Sequence, residues 1–88
     1  MYKVGLVGAG GAGQKRAAAI VQAVDTELVL ICDADQTAAA ALAAKTGAKV
    51  SISWEDLIAS DLDIVVVTTT HDVLAMISIA ALTAGKHV

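Results

Sequence analysis

Three glycines in the spacing Gly-x-Gly-x-x-Gly constrain the fold of this chain more than any other feature. Gly8, Gly10 and Gly13 separate an apolar stretch from a stretch in which apolar residues recur every three or four positions. The apolar stretch predicts a strand at residues 2–8, and the periodicity predicts a helix at residues 11–24. A strand that passes through such glycines into a helix is typical of the first turn of a dinucleotide-binding unit.

Each glycine has a predicted role in that turn. We expect Gly8 to allow a tight turn, Gly10 to let a pyrophosphate approach the backbone, and Gly13 to let the helix pack closely on the strand. The backbone N–H groups of Gly11 and Ala12 are then expected to touch the pyrophosphate at the positive end of the helix dipole. A purely structural turn is the alternative hypothesis.

A second apolar strand, predicted at residues 27–33, ends in an acid. Asp33 lies 33 − 13 = 20 residues after Gly13, the spacing of the acid that binds the adenosine ribose in dinucleotide-binding units. A carboxylate accepts hydrogen bonds from ribose hydroxyls and repels a 2′-phosphate, and residues 34–37 contain no Arg or Lys to favour that phosphate. The sequence therefore predicts NAD rather than NADP. A solvated strand end or a helix cap is the alternative for Asp33.

The rest of the sequence continues the alternation of strands and helices. Further strands are predicted at residues 49–52 and 63–68, and residues 86–88 predict the first step of a fifth strand. Asp35 and Ser53 are expected to cap two helices, and Gly47 and Gly85 to end two. The helices that follow the first one are predicted at residues 36–46, 54–60 and 72–84.

Two of the predicted helices have notable apolar faces. The first helix carries one such face, formed by Ala17, Ile20, Val21 and Val24. The last helix, at residues 72–84, is apolar on both sides, which predicts burial on most sides. One side carries Val73, Ile77, Ala80, Ala81 and Ala84, and the other carries Leu74, Met76, Ile79 and Leu82.

This pattern predicts an α/β fold. We expect a Rossmann-type doubly wound parallel sheet with strand order 3-2-1-4, formed by residues 1–88 as one dinucleotide-binding domain and truncated as a fifth strand begins. The carboxyl ends of strands one and four then meet at a ligand crevice, which would place Thr68, Thr69, Thr70 and His71 beside the glycines. The threonines could touch the cofactor or could satisfy their own backbone, and His71 could line the crevice or start a solvated helix.

Composition excludes several classes of protein. The formal net charge of −3 argues against nucleic acid as a partner, and no uninterrupted apolar run is long enough for a membrane span. The chain is 57% hydrophobic, which suggests that it belongs to a larger protein whose remaining part covers some of these faces. The single cysteine, Cys32, cannot form an internal disulfide and fits a cytoplasmic location. No group of His, Cys or carboxylates has the spacing of a metal site.

Two stretches resemble the N-terminal domain of the Gfo/Idh/MocA oxidoreductase family: residues 4–13, and residues 63–70 together with residues 80–88. The second stretch contains the strand-four segment and the ending Ala-Gly-Lys-His-Val, and the Trp-Glu-Asp-Leu of residues 54–57 also matches. The resemblance implies an NAD(P)-dependent dehydrogenase of sugars, inositols or similar polyols. It departs from the family at residues 70–71, where Thr-His replaces a common Pro-Asn, and at Arg16 and Leu74, where histidine is frequent.

The resemblance also implies that the reacting groups lie elsewhere. The family's catalytic lysine and its substrate domain would follow Val88, so we expect no catalytic residue in this chain and cofactor binding without turnover. The alternatives are a stand-alone nucleotide-sensing module, or a Rossmann domain that binds SAM or FAD. An open edge on strand four would favour self-association.

Overall fold

The computed structural model describes residues 1–69 and 71–88, and the side chains of His71 and Asp72 lie outside that description. Strands and helices alternate along the chain, as the sequence predicts. The strands are β1 (Tyr2–Val7), β2 (Thr26–Cys32), β3 (Lys49–Val50) and β4 (Ile64–Val67). The helices are α1 (Gly11–Gln22), α2 (Gln36–Thr46), α3 (Trp54–Ala59) and α4 (His71–Thr83).

The four strands form one parallel sheet in the order β3-β2-β1-β4, which confirms the predicted doubly wound arrangement. The predicted first step of a fifth strand is also present. His87 forms a parallel bridge with Ile64, in which the N–H of Val65 donates to the His87 carbonyl at 2.7 Å. The His87 N–H in turn donates to the Asp63 carbonyl at 3.0 Å. The chain therefore adds β2 and β3 on one side of β1 and β4 on the other. Such folds place their ligand crevice at this change of direction, between β1 and β4.

Each face of the sheet carries its own apolar core. The core under α1 and α2 combines small helical side chains such as Ala17 and Ala39 with the strand residues Leu6 and Ile31. Small side chains allow these helices to lie close to the sheet. The core under α3 and α4 contains Val7, Cys32, Leu57, Ile58, Leu62, Val65, Ile77 and Ala81.

The predicted caps at Asp35 and Ser53 and the predicted stop at Gly47 are confirmed. The Asp35 carboxylate accepts hydrogen bonds from the N–H groups of Thr37 at 3.0 Å and Ala38 at 3.2 Å, and so caps α2. The Ser53 hydroxyl accepts from the Asp56 N–H at 3.1 Å and caps α3. Gly47 ends α2 in the left-handed conformation, with φ of 79°.

Three predictions about the elements are wrong in detail. The third strand ends at Val50 rather than at residue 52, because the Ser51 hydroxyl donates to the Ser53 carbonyl at 3.0 Å and the chain turns into α3. Val24 is 92% exposed because α1 ends two residues earlier. Val21 is also exposed, whereas Ala17 and Ile20 of the same predicted face pack in the core.

Helix α4 is apolar on both sides, but only one side is buried. Ile77 and Ala81 pack against the sheet, whereas Met76, Ile79 and Leu82 are more than half exposed. The structure of residues 1–69 and 71–88 therefore contradicts the prediction that α4 is buried on most sides. Among these residues no helix is both long and apolar enough to cross a membrane.

Lys86 ties the end of the chain to the segment before β4. Its Nζ donates to the Ser60 carbonyl at 2.8 Å and to the Leu62 carbonyl at 3.1 Å. Lys86→Met keeps the aliphatic stem but leaves both carbonyls without this donor. We expect the free energy of unfolding, measured by urea denaturation, to fall by about 1–2 kcal/mol.

The matched control is Lys15→Met, which removes an exposed ammonium from α1 and should change the free energy of unfolding by less than about 0.5 kcal/mol. Lys86→Arg should recover part of the loss, because a guanidinium also donates to carbonyls. Equal urea midpoints for Lys86→Met and the unchanged chain would show that these hydrogen bonds contribute nothing to stability.

Candidate functional site

Three strand ends meet at the carboxyl edge of the sheet. Gly8 follows β1, Asp33 follows β2 and Thr68 follows β4, so residues far apart in sequence line one cavity. The cavity has a volume of about 400 Å³. Its walls are formed by Val7, Gly8, Gly10, Cys32, Asp33, Ala34, Trp54, Thr68, Thr69, Val73 and Ile77.

Two glycines, Gly8 in the turn after β1 and Gly13 in the first turn of α1, cannot be replaced without displacing a neighbour. Gly8 has φ of +112°, which side chains rarely adopt, and a Cβ there would overlap Oγ1 of Thr68. A Cβ on Gly13 would overlap the carbonyl oxygen of Gly8. These contacts agree with the tight turn expected at Gly8 and the close helix packing expected at Gly13.

The N-terminus of α1 is open, unlike those of α2 and α3. Its N-cap, Gly10, has no side chain to accept a hydrogen bond, and its first turn contains no acidic residue. A Cβ on Gly10 would meet nothing within 4 Å, and Gly10, Gly11 and Ala12 are all exposed. The first backbone N–H groups of a helix lack partners within the helix, so this end suits an anion such as a pyrophosphate.

The Asp33 carboxylate already accepts one backbone hydrogen bond on each oxygen. Its Oδ2 accepts from the N–H of Ala9 at 2.6 Å, and its Oδ1 accepts from the N–H of Asp35 at 2.8 Å. Asp33 therefore holds the glycine turn against the end of β2. Each oxygen keeps a further lone pair that could accept from a ligand hydroxyl. Asp35, and not Asp33, caps α2, so the helix-cap alternative for Asp33 is excluded.

The two described threonines after β4 have different surroundings. The Thr68 Oγ1 lies 3.3 Å from the carbonyl oxygens of both Val7 and Gly8, and donates toward them. Oγ1 of Thr69 is buried and has no hydrogen-bond partner among the residues that the structure describes. Thr70 and the side chain of His71, both predicted site residues, lie outside the described residues.

The cavity also contains residues that the sequence did not assign to a site. Trp54, the first residue of α3, forms one wall, and Val73 and Ile77 of α4 form another. The Ser53 cap indicated where α3 begins. The sequence offered no sign that this helix starts beside the glycine turn, because that depends on how α3 packs on the sheet.

Cys32 contributes an apolar wall rather than a reactive group. The side chain is buried and the thiol is free. Burial raises the pKa of the Cys32 thiol, and the negative charges of Asp33 and Glu55 raise it further. The thiol therefore stays protonated at neutral pH and is a poor nucleophile there. This agrees with the small core residue predicted from the sequence.

A second hollow, of about 360 Å³, lies between α1 and α2. It contains none of the predicted site residues. Its walls are formed by Gln14, Ala18, Val21, Gln22, Leu42, Lys45 and Thr46.

Comparison with protein families gives one match over nearly the whole chain. The match covers residues 2–88 and is to the Gfo/Idh/MocA oxidoreductase family, described as having an NAD-binding Rossmann fold. Among curated proteins, the comparison finds no matching sequence.

Solved structures match the fold closely. A candidate myo-inositol dehydrogenase from Sinorhizobium meliloti 1021 is 34% identical with a TM-score of 0.94, over 98% of this chain and 26% of its own. Biliverdin reductase from Synechocystis sp. PCC 6803, solved with biliverdin and NADP+, is 33% identical with a TM-score of 0.92. That match covers 98% of this chain and 28% of the reductase.

A third structure, GenD2 from gentamicin A biosynthesis, was solved with NAD. It is 27% identical with a TM-score of 0.92, over 97% of this chain and 25% of its own. The chain thus spans about a quarter of the length of these three relatives. Because one relative holds NAD and another NADP+, the comparisons support a nicotinamide dinucleotide without separating the two.

Alanine substitutions at two glycines should differ in their cost to stability. Gly13→Ala forces a Cβ into the Gly8 carbonyl, so we expect the free energy of unfolding to fall by about 2 kcal/mol or more. Gly10→Ala enters open space with φ of −76°, and should cost less than about 1 kcal/mol. Urea denaturation followed by circular dichroism measures both. Equal losses would contradict the distinct roles of the two glycines.

Proposed function

Because this chain belongs to the Gfo/Idh/MocA oxidoreductase family, we propose that it is the NAD-binding part of a dehydrogenase that acts on a sugar, an inositol or a similar polyol. One observation carries the proposal. The uncapped N-terminus of α1, the turn at Gly8 and the carboxylate of Asp33 face one cavity at the carboxyl edge of the sheet.

The residues of this edge fit a nicotinamide dinucleotide. The N–H groups of Gly10, Gly11 and Ala12 would hold the pyrophosphate, where the open space at Gly10 admits it. Asp33 would accept from the hydroxyls of the adenosine ribose, and the unpartnered hydroxyl of Thr69 would face the ligand. When bound, the nicotinamide ring supplies hydride transfer at its C4 carbon. The positions of Thr70 and His71 in the site remain proposals from the sequence.

NAD is the proposed cofactor in preference to NADP. The Asp33 carboxylate is anchored by two backbone N–H groups, so it cannot easily turn away from a 2′-phosphate. No Lys or Arg stands at residues 34–37 to neutralise that phosphate. Bringing two anions together in a partly buried site is unfavourable, which favours the free hydroxyl of NAD.

The polyol substrate is proposed from relatives. One is a candidate myo-inositol dehydrogenase, and another belongs to the biosynthesis of gentamicin A. We assign no proton-transfer group to this chain, so the 88-residue chain should bind cofactor without turnover. A cytoplasmic location is part of the same proposal, supported by a single cysteine that is buried and free.

The direct test is a calorimetric titration of the chain with NAD, NADP and SAM. We expect NAD to bind more tightly than NADP, and SAM not to bind. Asp33→Asn should weaken NAD binding by about tenfold or more, because it removes a charged acceptor. It should also reduce the difference between the affinities for NAD and NADP. Asp25→Asn changes an exposed carboxylate outside the cavity and should leave the affinity unchanged.

Two results would contradict the proposal. A folded chain that binds SAM but neither dinucleotide would belong to a different class of Rossmann domain. Tighter binding of NADP than NAD would show that Asp33 does not accept hydrogen bonds from the adenosine ribose. Circular dichroism of the same samples distinguishes either result from a failure to fold.

We further propose that the chain self-associates. Among the described residues, the outer edge of β4 is paired by His87 alone, and an unpaired strand edge tends to recruit another chain. The exposed side of α4 adds apolar surface, formed by Met76, Ile79 and Leu82. Light scattering at increasing concentration should give masses above that of one chain. A constant monomer mass would contradict the expectation.

A further inference from the structure

Thr68 occupies a space that two glycines leave free. A Cβ on Gly8 would overlap its Oγ1, and a Cβ on Gly13 would lie 3.2 Å from the same atom. Oγ1 is 3.3 Å from the carbonyl oxygens of both Val7 and Gly8. The Thr68 N–H also donates to the Val7 carbonyl, at 2.9 Å. The side chain of Thr68 is therefore packed into the glycine turn.

We propose that Thr68 is a positioning residue for the glycine turn rather than a cofactor ligand. Its single hydroxyl proton is shared between two carbonyls that flank the left-handed backbone of Gly8. Holding these carbonyls fixes the direction of the peptide units that lead into α1. The consequence for cofactor affinity rests on the function proposed above, whereas the effect on the turn does not.

The partners of the hydroxyl argue against a simple strand-end role. They belong to β1 and the turn after it, 61 and 60 residues earlier in the chain, and not to β4, the strand that Thr68 follows. Asp33 approaches the same turn from β2, accepting from the Ala9 N–H at 2.6 Å. A donor from one neighbouring strand end and an acceptor from the other thus hold the turn on both sides.

The substitutions that test this inference differ in which group of Thr68 they remove. Thr68→Val keeps the shape and loses the hydroxyl, whereas Thr68→Ser keeps the hydroxyl and loses a methyl group. Thr26→Val is the matched control. The Thr26 hydroxyl also donates to a carbonyl of another element, that of Ile20 at 2.9 Å, but Thr26 starts β2 at the opposite end of the sheet.

The first readout is amide hydrogen exchange of the ligand-free chain, resolved by residue with NMR. In Thr68→Val we expect the Gly8 and Ala9 amides, which donate to the Cys32 carbonyl and the Asp33 carboxylate, to exchange about fivefold faster, because the turn opens more often. In Thr68→Ser the exchange rates of these amides should stay within about twofold of those in the unchanged chain. Thr26→Val should leave both amides unchanged, even if it lowers global stability.

The second readout is NAD affinity by calorimetry, under conditions in which every variant is folded. Thr68→Val should bind about fivefold more weakly, and Thr68→Ser should recover the affinity. Unchanged exchange at Gly8 and Ala9 in Thr68→Val, or equal acceleration in Thr26→Val, would overturn the inference. If the unchanged chain fails to bind NAD, the proposed function falls, and the exchange rates still decide the role of Thr68. Should Thr68→Val not fold, the comparison of Thr68→Ala with Thr68→Ser isolates the hydroxyl, because these two variants differ in that group alone.

Discussion

The close approach of α1 to β1 is the contact on which the rest of the structure depends. A Cβ on Gly13 would overlap the Gly8 carbonyl, so the helix can begin directly over the end of the strand only because that atom is absent. This places the first turn of α1 at the carboxyl edge of the sheet, where β2 and β4 also end. The cavity, its acid and its threonines are arranged around that helix end.

The groups that could bind an anion at the carboxyl edge of the sheet are mostly backbone groups. The chain carries a net charge of −3, and its glycine turn contains no lysine, so an anion there would depend on helix N–H groups and their dipole. Side chains cap α2 and α3, whereas α1 is left open. Asp33 and Thr68 satisfy groups of the turn itself, which keeps its shape without filling the open end.

Much of this arrangement could be predicted from the sequence, since it follows from local patterns. Strand order, caps at Asp35 and Ser53, and the positions of Gly8 and Asp33 depend on spacing and residue type. What could not be predicted depends on distant packing. The hydroxyl partners of Thr68 belong to β1 and the turn after it, and the place of Trp54 in the cavity depends on how α3 packs on the sheet. Periodicity also predicted Val24 on the apolar face of α1, although the helix ends before it and Val24 is exposed. No local signal in the sequence marked where α1 ends.

The central claim is that the carboxyl edge of the sheet, rather than another surface, binds the dinucleotide. The most direct measurement follows the amide ¹H–¹⁵N chemical shifts of the chain as NAD is added. The account predicts that the largest changes fall on residues 8–13 and 33–34, which surround the α1 N-terminus and the end of β2. Changes centred instead on the hollow between α1 and α2, near Val21 and Lys45, would contradict it.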